Sequence, residues 1–456
     1  MQSSQYFDLV IKSGKCLIKN KSINDNFFQS KNLDIGIVHN KIEKIGDIPA
    51  SQAKQIIDAK NLFVLPGVID SQVHFREPGL EHKEDLFSGT KAAALGGVTT
   101  VFEMPNTKPP TVSVEEFKKK LDLTRDRIWI NCGFYVGATI ENIDELAKLE
   151  TLPGCVGVKM FMGLSTGTLL VREESDVEKV IKAGKRRMAI HAEDDARLEE
   201  RKKLLGGSST VHLHPEWRDA ESALIATRRA VTLAKKHNRP IHILHVTSKD
   251  EMQFLADHKK SGLISLECTP QHLTLFAPDC YDSLNTYAQM NPPIRSREHF
   301  LGLWKAMENG VVDVIGSDHA PHSHEEKQKK YPNSPSGMTG VQTLLPIMLD
   351  HVNQNRLSLE QLVPLISYNP ARLFGLQNKG LICEGFDADL TLIDLKAERV
   401  ITNEWIASKC GWTPFHGRKV KGWPICTIVN GSIVMKDDQI LGTPIGKIAS
   451  FGNLAQ

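Results

Sequence analysis

The chain lacks a strong net charge and lacks any long apolar run. Its 456 residues carry 56 lysines and arginines against 54 aspartates and glutamates, which leaves a formal net charge of +2. This balance provides no basic field for nucleic acid or for an anionic membrane surface, so neither partner is expected. No apolar segment is as long as an ordinary transmembrane helix requires. The lysine-rich runs 118–120 and 327–330 are expected to lie on solvated faces.

Cysteine is also sparse. The eight cysteines form no C-x-x-C pair and none of the dense spacing that disulfide-rich secreted domains show. Several of them lie in apolar runs, so we expect buried free thiols in a reducing compartment. The first residues also lack the charged and apolar regions of a signal peptide. Together these features predict a cytoplasmic protein.

What the chain does contain is a repeated alternation of strands and helices. Apolar strand-like runs end near residues 70, 105, 137, 162, 191, 247, 270 and 318. Helical patterns follow most of them, at residues 86–95, 114–124, 142–149, 175–186, 220–236, 249–258 and 297–308. Eight such units predict an α/β chain that forms either a parallel (β/α)8 TIM-type barrel or a doubly wound open sheet.

Both ends of the chain differ from this middle part. Short strand-like bursts separated by polar turns, such as the cluster at 20–26, occupy the first 65 residues and return near residue 388. Asn430-Gly431 is a hairpin turn signal. We therefore predict a small composite β-sandwich domain from residues 1–65 and 380–456, and a barrel from residues 66–379.

Polar side chains lie at or near the C-terminal ends of most of the predicted central strands. They include Gln72, His74, Arg76, Glu103, Asn106, Lys159, His191, His245, His272, Asp318 and His322. Catalytic residues of a parallel barrel converge from the C-terminal ends of several strands, whereas an open sheet concentrates them at one switch point. The distribution favours the barrel.

Alternation within a strand predicts which side chains share a face. Gln72, His74 and Arg76 stand at every second position, so a strand would aim all three into one mouth. His242 and His245 are three apart and would face opposite sides. His245 is nearer the strand end and is the better ligand candidate, while His242 is interpreted as structural. The remaining loop and helix histidines, including His214, are given no role.

Lys159 is the most informative single residue. It interrupts the apolar run Val156-Gly-Val-Lys-Met-Phe-Met162, where a free ammonium would be costly to bury. One interpretation is a lysine that reaches the rim of the barrel. The other is a neutral amine that reacts with CO2 to form a carbamate, a carboxylate on a long arm. With His191, His245 and Asp318 on separate strands, it would form a nitrogen- and oxygen-rich set suited to zinc.

These motifs resemble the amidohydrolase superfamily and, within it, the dihydroorotases. The resemblance is carried by Val73-His-Phe-Arg-Glu-Pro-Gly79, Met104-Pro-Asn-Thr107, Val158-Lys-Met-Phe161, His191-Ala-Glu193, Met290-Asn-Pro-Pro-Ile-Arg295 and Ser317-Asp-His-Ala-Pro-His322. They occur in family order across the whole predicted barrel. The resemblance implies the zinc-dependent, reversible cyclisation of N-carbamoyl-L-aspartate to (S)-dihydroorotate, a step of pyrimidine (UMP) biosynthesis. It also implies a homodimer, with association with aspartate transcarbamoylase as a further option.

The resemblance assigns roles residue by residue. The metal ligands would be His74, Lys159 (carboxylated), His191, His245 and Asp318, with Asp318 also the catalytic acid and base. The substrate would be held by His74, Arg76, Asn106, Asn291, His322, Ser336 and Gly337. Arg76 has its own warrant, since a guanidinium fork binds a carboxylate bidentately. Ser336 departs from the residue that is commoner in the family. The loop 163–168 is interpreted either as a closing lid or as a plain βα loop.

One position departs from the family pattern in a way that matters. The first strand of the family has His-x-His, and this chain has Gln72-Val-His74. Glutamine offers a neutral carbonyl oxygen in place of a strong nitrogen ligand. We therefore expect one tight zinc site, formed by Lys159, His191 and His245, and a second site that is weak or vacant.

Two other functions stay open at this stage. A catalytically inactive dihydroorotase-like subunit that partners a transcarbamoylase would account for Gln72. A related cyclic amidase (hydantoinase, dihydropyrimidinase or allantoinase) would account for the Lys159 motif. The neutral rings that such an amidase hydrolyses have no carboxylate for Arg76 to bind.

Overall fold

A computed structural model describes residues 6–20, 28–164 and 169–452 of the protein. Residues 21–26 of the predicted turn cluster therefore lie outside the described residues. The strands are β1 Phe7–Lys19, β2 Phe28–Val38, β3 Lys41–Gly46, β4 Ala53–Asp58, β5 Phe63–Pro66, β6 Val68–Val73, β7 Val98–Glu103, β8 Asn131–Gly137, β9 Cys155–Phe161, β10 Met188–His191, β11 Ile241–Ile243, β12 Ile264–Cys268, β13 Val314–Ile315, β14 Leu390–Val400, β15 Lys419–Val429, β16 Ser432–Lys436 and β17 Gln439–Ile440.

The α-helices follow most of the central strands, as the sequence predicts. They are α1 Leu86–Leu95, α2 Val114–Asp122, α3 Leu146–Leu149, α4 Glu174–Lys182, α5 Asp195–Arg201, α6 His214–Trp217, α7 Ala220–Lys236, α8 Lys249–His258, α9 Asp279–Leu284, α10 Arg297–Glu308, α11 His324–Lys327, α12 Leu344–Asn353, α13 Leu359–Val363 and α14 Asn369–Phe374. Capping side chains in the local sequence define where several of these helices begin. The Asp85 carboxylate accepts from the Ser88 backbone N–H at the start of α1, and Ser248 and Glu251 form a capping box at the start of α8.

In the described chain, the central strands form a closed parallel barrel. Strands β6 to β13 pair in sequence order to give an eight-stranded sheet. The two edges meet where Val73 bridges to His319 in parallel, and the His74 backbone N–H donates to the His319 carbonyl at 2.7 Å. The (β/α)8 TIM-type barrel is therefore confirmed, and the open sheet is excluded.

Alternating side chains give the barrel two apolar layers. Val101, Val136 and Val158 face outward and belong to the core shared with the surrounding helices. Phe102 and its inward-facing neighbours form a separate cluster inside the barrel, where the Phe102 and Phe374 rings lie 5.5 Å apart. Strands buried on both faces fix the positions of the residues at their C-terminal ends.

Strands from both chain ends form a second, mixed sheet. Among the described residues it has nine strands, in the order β17-β16-β15-β14-β5-β1-β2-β3, with β4 paired to β1. The two ends join where β5 runs antiparallel to β14. The segment after β17 returns to the barrel, since the Cys132 N–H donates to the Lys447 carbonyl and the Phe451 ring lies 5.5 Å from Phe102.

Two expectations about side-chain burial have different outcomes. All eight cysteines are free thiols, and all except Cys383 are buried, as expected. The expectation that both lysine runs are solvated is wrong for Lys120 and Lys327, which are 1% and 0% exposed. Lys120 forms an ion pair with the equally buried Glu103 at 2.5 Å. Among the described residues, no helix has the length and apolar character needed to cross a membrane.

Candidate metal and substrate site

The ends of the first and last barrel strands meet at Asp318. The Gln72 side-chain amide donates to Asp318 Oδ1 at 2.8 Å, and Nε2 of His74 lies 3.2 Å from the same oxygen. The other ring nitrogen of His74 lies 2.7 Å from Asn106 Oδ1. Gln72 is therefore a hydrogen-bond donor to the candidate catalytic carboxylate.

Lys159 lies on β9 with its side chain wholly buried. Among the described residues no hydrogen-bond partner reaches its Nζ, which lies 4.4 Å from the centroid of the Phe161 ring. Burial lowers the pKa of Lys159 to about 7, against the opposing effect of Asp318 and Glu267. A substantial share of this amine is therefore neutral near pH 7, which is the form that reacts with CO2.

His191 and His245 face one another across the ends of β10 and β11. Nδ1 of His191 lies 3.1 Å from Nε2 of His245. On its other side, Nε2 of His191 lies 2.9 Å from Glu193, which Arg218 contacts in turn. Burial lowers the pKa of both histidines, most strongly that of His245, and so favours the neutral imidazoles that bind metals.

A narrow cleft joins these side chains. It is lined by Gln72, His74, Lys159, Phe161, His191, His245, Asn291, Asp318, Ala320, Ser336 and Gly337. The structure thus brings the predicted metal set to one cavity, together with Asn291, Ser336 and Gly337 of the predicted substrate set.

The other predicted substrate residues stand directly behind this lining. Nε of Arg76 donates to the Pro321 carbonyl at 3.2 Å, and its Nη2 lies 3.3 Å from Nε2 of His322. That ring nitrogen also lies 3.0 Å from the carbonyl oxygen of Ser336. Asn106 contacts the lining through His74. Arg76 is 2% exposed, and in the described part of the chain no carboxylate lies within ion-pair distance of it.

Simple strand alternation does not place Arg76 or His245. Strand β6 ends at Val73 and β11 ends at Ile243. Arg76 and His245 then adopt left-handed backbone conformations, with φ of 65° and 37°. His242 lies within β11, contacts Ser265 and Glu267, and does not line the cleft. The structure places His245 and not His242 in the lining of the cleft, but the turn after β11, rather than alternation within the strand, sets the direction of His245.

Comparison with known proteins places the chain in a family. Residues 63–434 match the amidohydrolase family model. The chain is 36% identical over 423 residues to a dihydroorotase of Methanosarcina acetivorans, with 90% of each chain covered. A dihydroorotase of Bacillus subtilis is 35% identical over 445 residues, which cover 93% of this chain and 99% of the relative. The chain belongs to the amidohydrolase family. The predicted resemblance to the dihydroorotases is confirmed.

Solved structures of cyclic amidases share the whole amidohydrolase fold. The L-hydantoinase (dihydropyrimidinase) of Arthrobacter aurescens superposes with a TM-score of 0.91 at 28% identity, covering 97% of this chain and all of that one. The dihydropyrimidinase of Brevibacillus agri superposes with a TM-score of 0.86 at 26% identity, covering 96% and 97% of the two chains. Both are similar in architecture and lower in sequence identity than the dihydroorotases.

Amidohydrolases generally use metal ions, and the cleft has a suitable donor set. Within the described ranges, histidine, cysteine, aspartate and glutamate alone form no group of three or more with metal-site geometry. The candidate set depends also on Lys159 and Gln72. Their Nζ and Oε1 atoms are buried and have no hydrogen-bond partner in the part of the chain that the structure describes. Next to the facing nitrogens of His191 and His245, these atoms form a donor set that could hold a metal ion.

Three supporting residues were given no role in the sequence analysis. Glu193 and Arg218 hold the His191 ring from behind. His214 holds Asn291, since its Nε2 lies 3.1 Å from Asn291 Oδ1 and 2.9 Å from the Met290 carbonyl oxygen. Glu193 follows His191 by two positions, and this spacing is the sequence feature that could have identified Glu193 as a supporting residue. Residues 165–168 of the predicted lid lie outside the described residues.

Proposed function

We propose that the chain is a dihydroorotase, which interconverts N-carbamoyl-L-aspartate and (S)-dihydroorotate. The relatives at 34–36% identity along most of the chain support this assignment. The observation that carries the substrate choice is Arg76, a buried guanidinium beside the cleft that no carboxylate of the described chain pairs with. A ligand carboxylate would supply the missing partner, and dihydroorotate carries one.

The substrate carboxylate is held by groups at one side of the cleft. Arg76 provides the positive charge and N–H donors, His322 provides a ring nitrogen, and Asn291 provides an amide. Ser336 and Gly337 contribute from the cleft wall, and Asn106 fixes the His74 ring. Gly337 has a φ of 147°, and a Cβ at this position would overlap the Ala320 carbonyl oxygen. The close backbone approach there requires glycine.

Two sets of residues, of unequal affinity, would hold the metal. Lys159, carboxylated by CO2, would complete a tight zinc site with His191 and His245. His74, Asp318 and the Gln72 carbonyl oxygen would form the second site, which is weak or vacant because it lacks one imidazole. When bound, zinc supplies a Lewis acid that lowers the pKa of water and polarises an amide carbonyl.

Asp318 moves the proton of the reaction. In the hydrolytic direction, water adds to the ring amide carbon and the C–N bond breaks. The Asp318 carboxylate accepts the proton of the attacking water and returns it to the leaving nitrogen. Gln72 and His74 contact Oδ1 of Asp318 and so hold the carboxylate in place for both transfers.

Two other functions are separated from this one by specific observations. Gln72 favours an inactive subunit that partners a transcarbamoylase, and turnover of dihydroorotate by the purified chain would exclude it. The hydantoinase-like architecture favours a cyclic amidase for neutral rings. Such an enzyme has no use for the carboxylate site, so orotate would not inhibit it.

The test of the proposed function uses the purified chain supplied with zinc and bicarbonate. We expect hydrolysis of (S)-dihydroorotate, competitive inhibition by orotate and no comparable turnover of hydantoin. Turnover of hydantoin without inhibition by orotate would assign the chain to the cyclic amidases. The proposal also includes a cytoplasmic homodimer in pyrimidine biosynthesis and aspartate transcarbamoylase as a candidate partner. Light scattering and co-purification test these two assemblies.

A further inference from the structure

Lys327 is a buried lysine that the proposed reaction does not use. It ends the short helix α11, which begins directly after His322 and Ser323. Its side chain is 0% exposed, and in the described chain no carboxylate lies within ion-pair distance of its ammonium. Burying an ammonium without a carboxylate partner is costly. The surrounding groups must therefore offset that cost.

Three backbone carbonyls surround this ammonium. It donates to the carbonyl oxygens of Gln289 at 3.1 Å, Pro335 at 2.9 Å and Gly337 at 3.1 Å. These match the three N–H donors of a lysine. Two of the carbonyls belong to residues 334–337, which we call the cleft loop. The third lies two residues before Asn291. One side chain thus links both segments that line the substrate side of the cleft.

Further contacts bind the cleft loop to the same group. The Gln289 side-chain amide donates to the Ser334 carbonyl at 2.9 Å and to the Ser336 hydroxyl at 3.1 Å. The Gly337 N–H donates to the Gln289 carbonyl at 2.9 Å. The Ser334 hydroxyl donates to the Lys327 carbonyl at 3.2 Å. The loop is therefore held from both sides, by Lys327 and by Gln289.

We propose that Lys327 is a positioning residue for the substrate, whose ammonium holds Asn291, Ser336 and Gly337 in the arrangement that receives the substrate carboxylate. Lys327 does not line the cleft and acts through the backbone of the residues that do. Loss of its ammonium leaves the Pro335 and Gly337 carbonyls without this donor. The cleft loop then keeps its contacts with Gln289 but is held less firmly, while the metal-side residues keep all of their contacts.

This inference rests on the proposed function, and its test separates the two. We expect Lys327→Met to raise the KM for dihydroorotate and the Kd for orotate by roughly tenfold, as for the loss of hydrogen bonds to a charged group. The kcat and the zinc content should stay within about twofold of wild type because the metal side is intact. Lys330→Met, an exposed lysine of the same run, is the control and should match wild type.

A second variant protects the test against a folding defect. Gln289→Leu removes the two side-chain contacts to the cleft loop and leaves Lys327 in place, so it should raise KM without lowering kcat. If both variants lose kcat at unchanged KM, or if neither changes the Kd for orotate, Lys327 is only structural and the inference is wrong. If the wild-type chain neither hydrolyses dihydroorotate nor binds orotate, the proposed function itself has failed.

Discussion

The Arg76→Met variant tests whether Arg76 binds the substrate or stabilises the fold. Arg76 is 2% exposed and has no carboxylate partner in the described chain, whereas Arg239, also 2% exposed, donates to the buried Glu150 at 2.7 Å. Removing Arg76 leaves no buried carboxylate unpaired and removes the desolvation cost of a guanidinium. We therefore expect little change in the free energy of unfolding.

The effect of Arg76→Met should appear in binding instead. Loss of charge-assisted hydrogen bonds to a substrate carboxylate costs about 1.5–3 kcal/mol, which corresponds to a rise of roughly 10- to 150-fold in the Kd for orotate. Arg76→Lys should recover part of this loss, since it keeps the charge but not the planar fork. Isothermal titration with orotate measures the affinity, and denaturant unfolding measures the stability.

Arg239→Met is the matched control with the opposite pattern. It leaves Glu150 buried without its cationic partner, at a cost of about 3–5 kcal/mol in the free energy of unfolding. Because Arg239 precedes the N-terminal end of β11, whereas the cleft lies at the C-terminal ends of the barrel strands, the Kd for orotate should not change. The reasoning is refuted if Arg76→Met binds orotate like wild type, or if it loses as much stability as Arg239→Met.

Two further predictions concern metal content and stability. Gln72→His should raise the zinc content from about one to about two per chain, because it adds an imidazole to the second site. Two zincs in the wild-type chain that survive dialysis against a weak chelator would contradict this prediction. Lys120→Met should lower the free energy of unfolding by about 3–5 kcal/mol, because it leaves Glu103 buried without its partner. Exposed Lys119 provides the control variant, and equal stability of the two variants would count against a role for the buried pair.

The barrel was predictable because several sequence signals agree. The alternating strand-like and helical runs and the polar residues at the strand ends indicate the same architecture. The predicted helix 86–95 has the bounds of α1, and the strand expected to end at His191 ends there. Such signals are local, so a single sequence can show them.

The residues that hold the site in place were harder to predict, because they contact residues on other elements of the fold. A lysine-rich run indicates solvent exposure, yet Lys120 meets Glu103 on another element and Lys327 meets three carbonyls of two separate segments. Nothing near these lysines in the sequence identifies those partners. His214 was missed for the same reason, since Asn291 is 77 residues away.

The backbone conformation after the strand ends could not be predicted from the sequence either. Alternation predicts directions only while a strand continues, and the strands end before Arg76 and His245. Left-handed residues then turn these side chains. The residues were identified from their chemistry and from family motifs, but their placement required the structure.

The most direct test of the account is the hydrolysis of (S)-dihydroorotate by the purified chain with zinc and bicarbonate, in parallel with Asp318→Asn. The account predicts turnover by the wild-type chain and its loss in the variant, because an asparagine amide cannot accept and return the proton. Absence of turnover by the metal-loaded wild-type chain would contradict the account, as would undiminished turnover by Asp318→Asn.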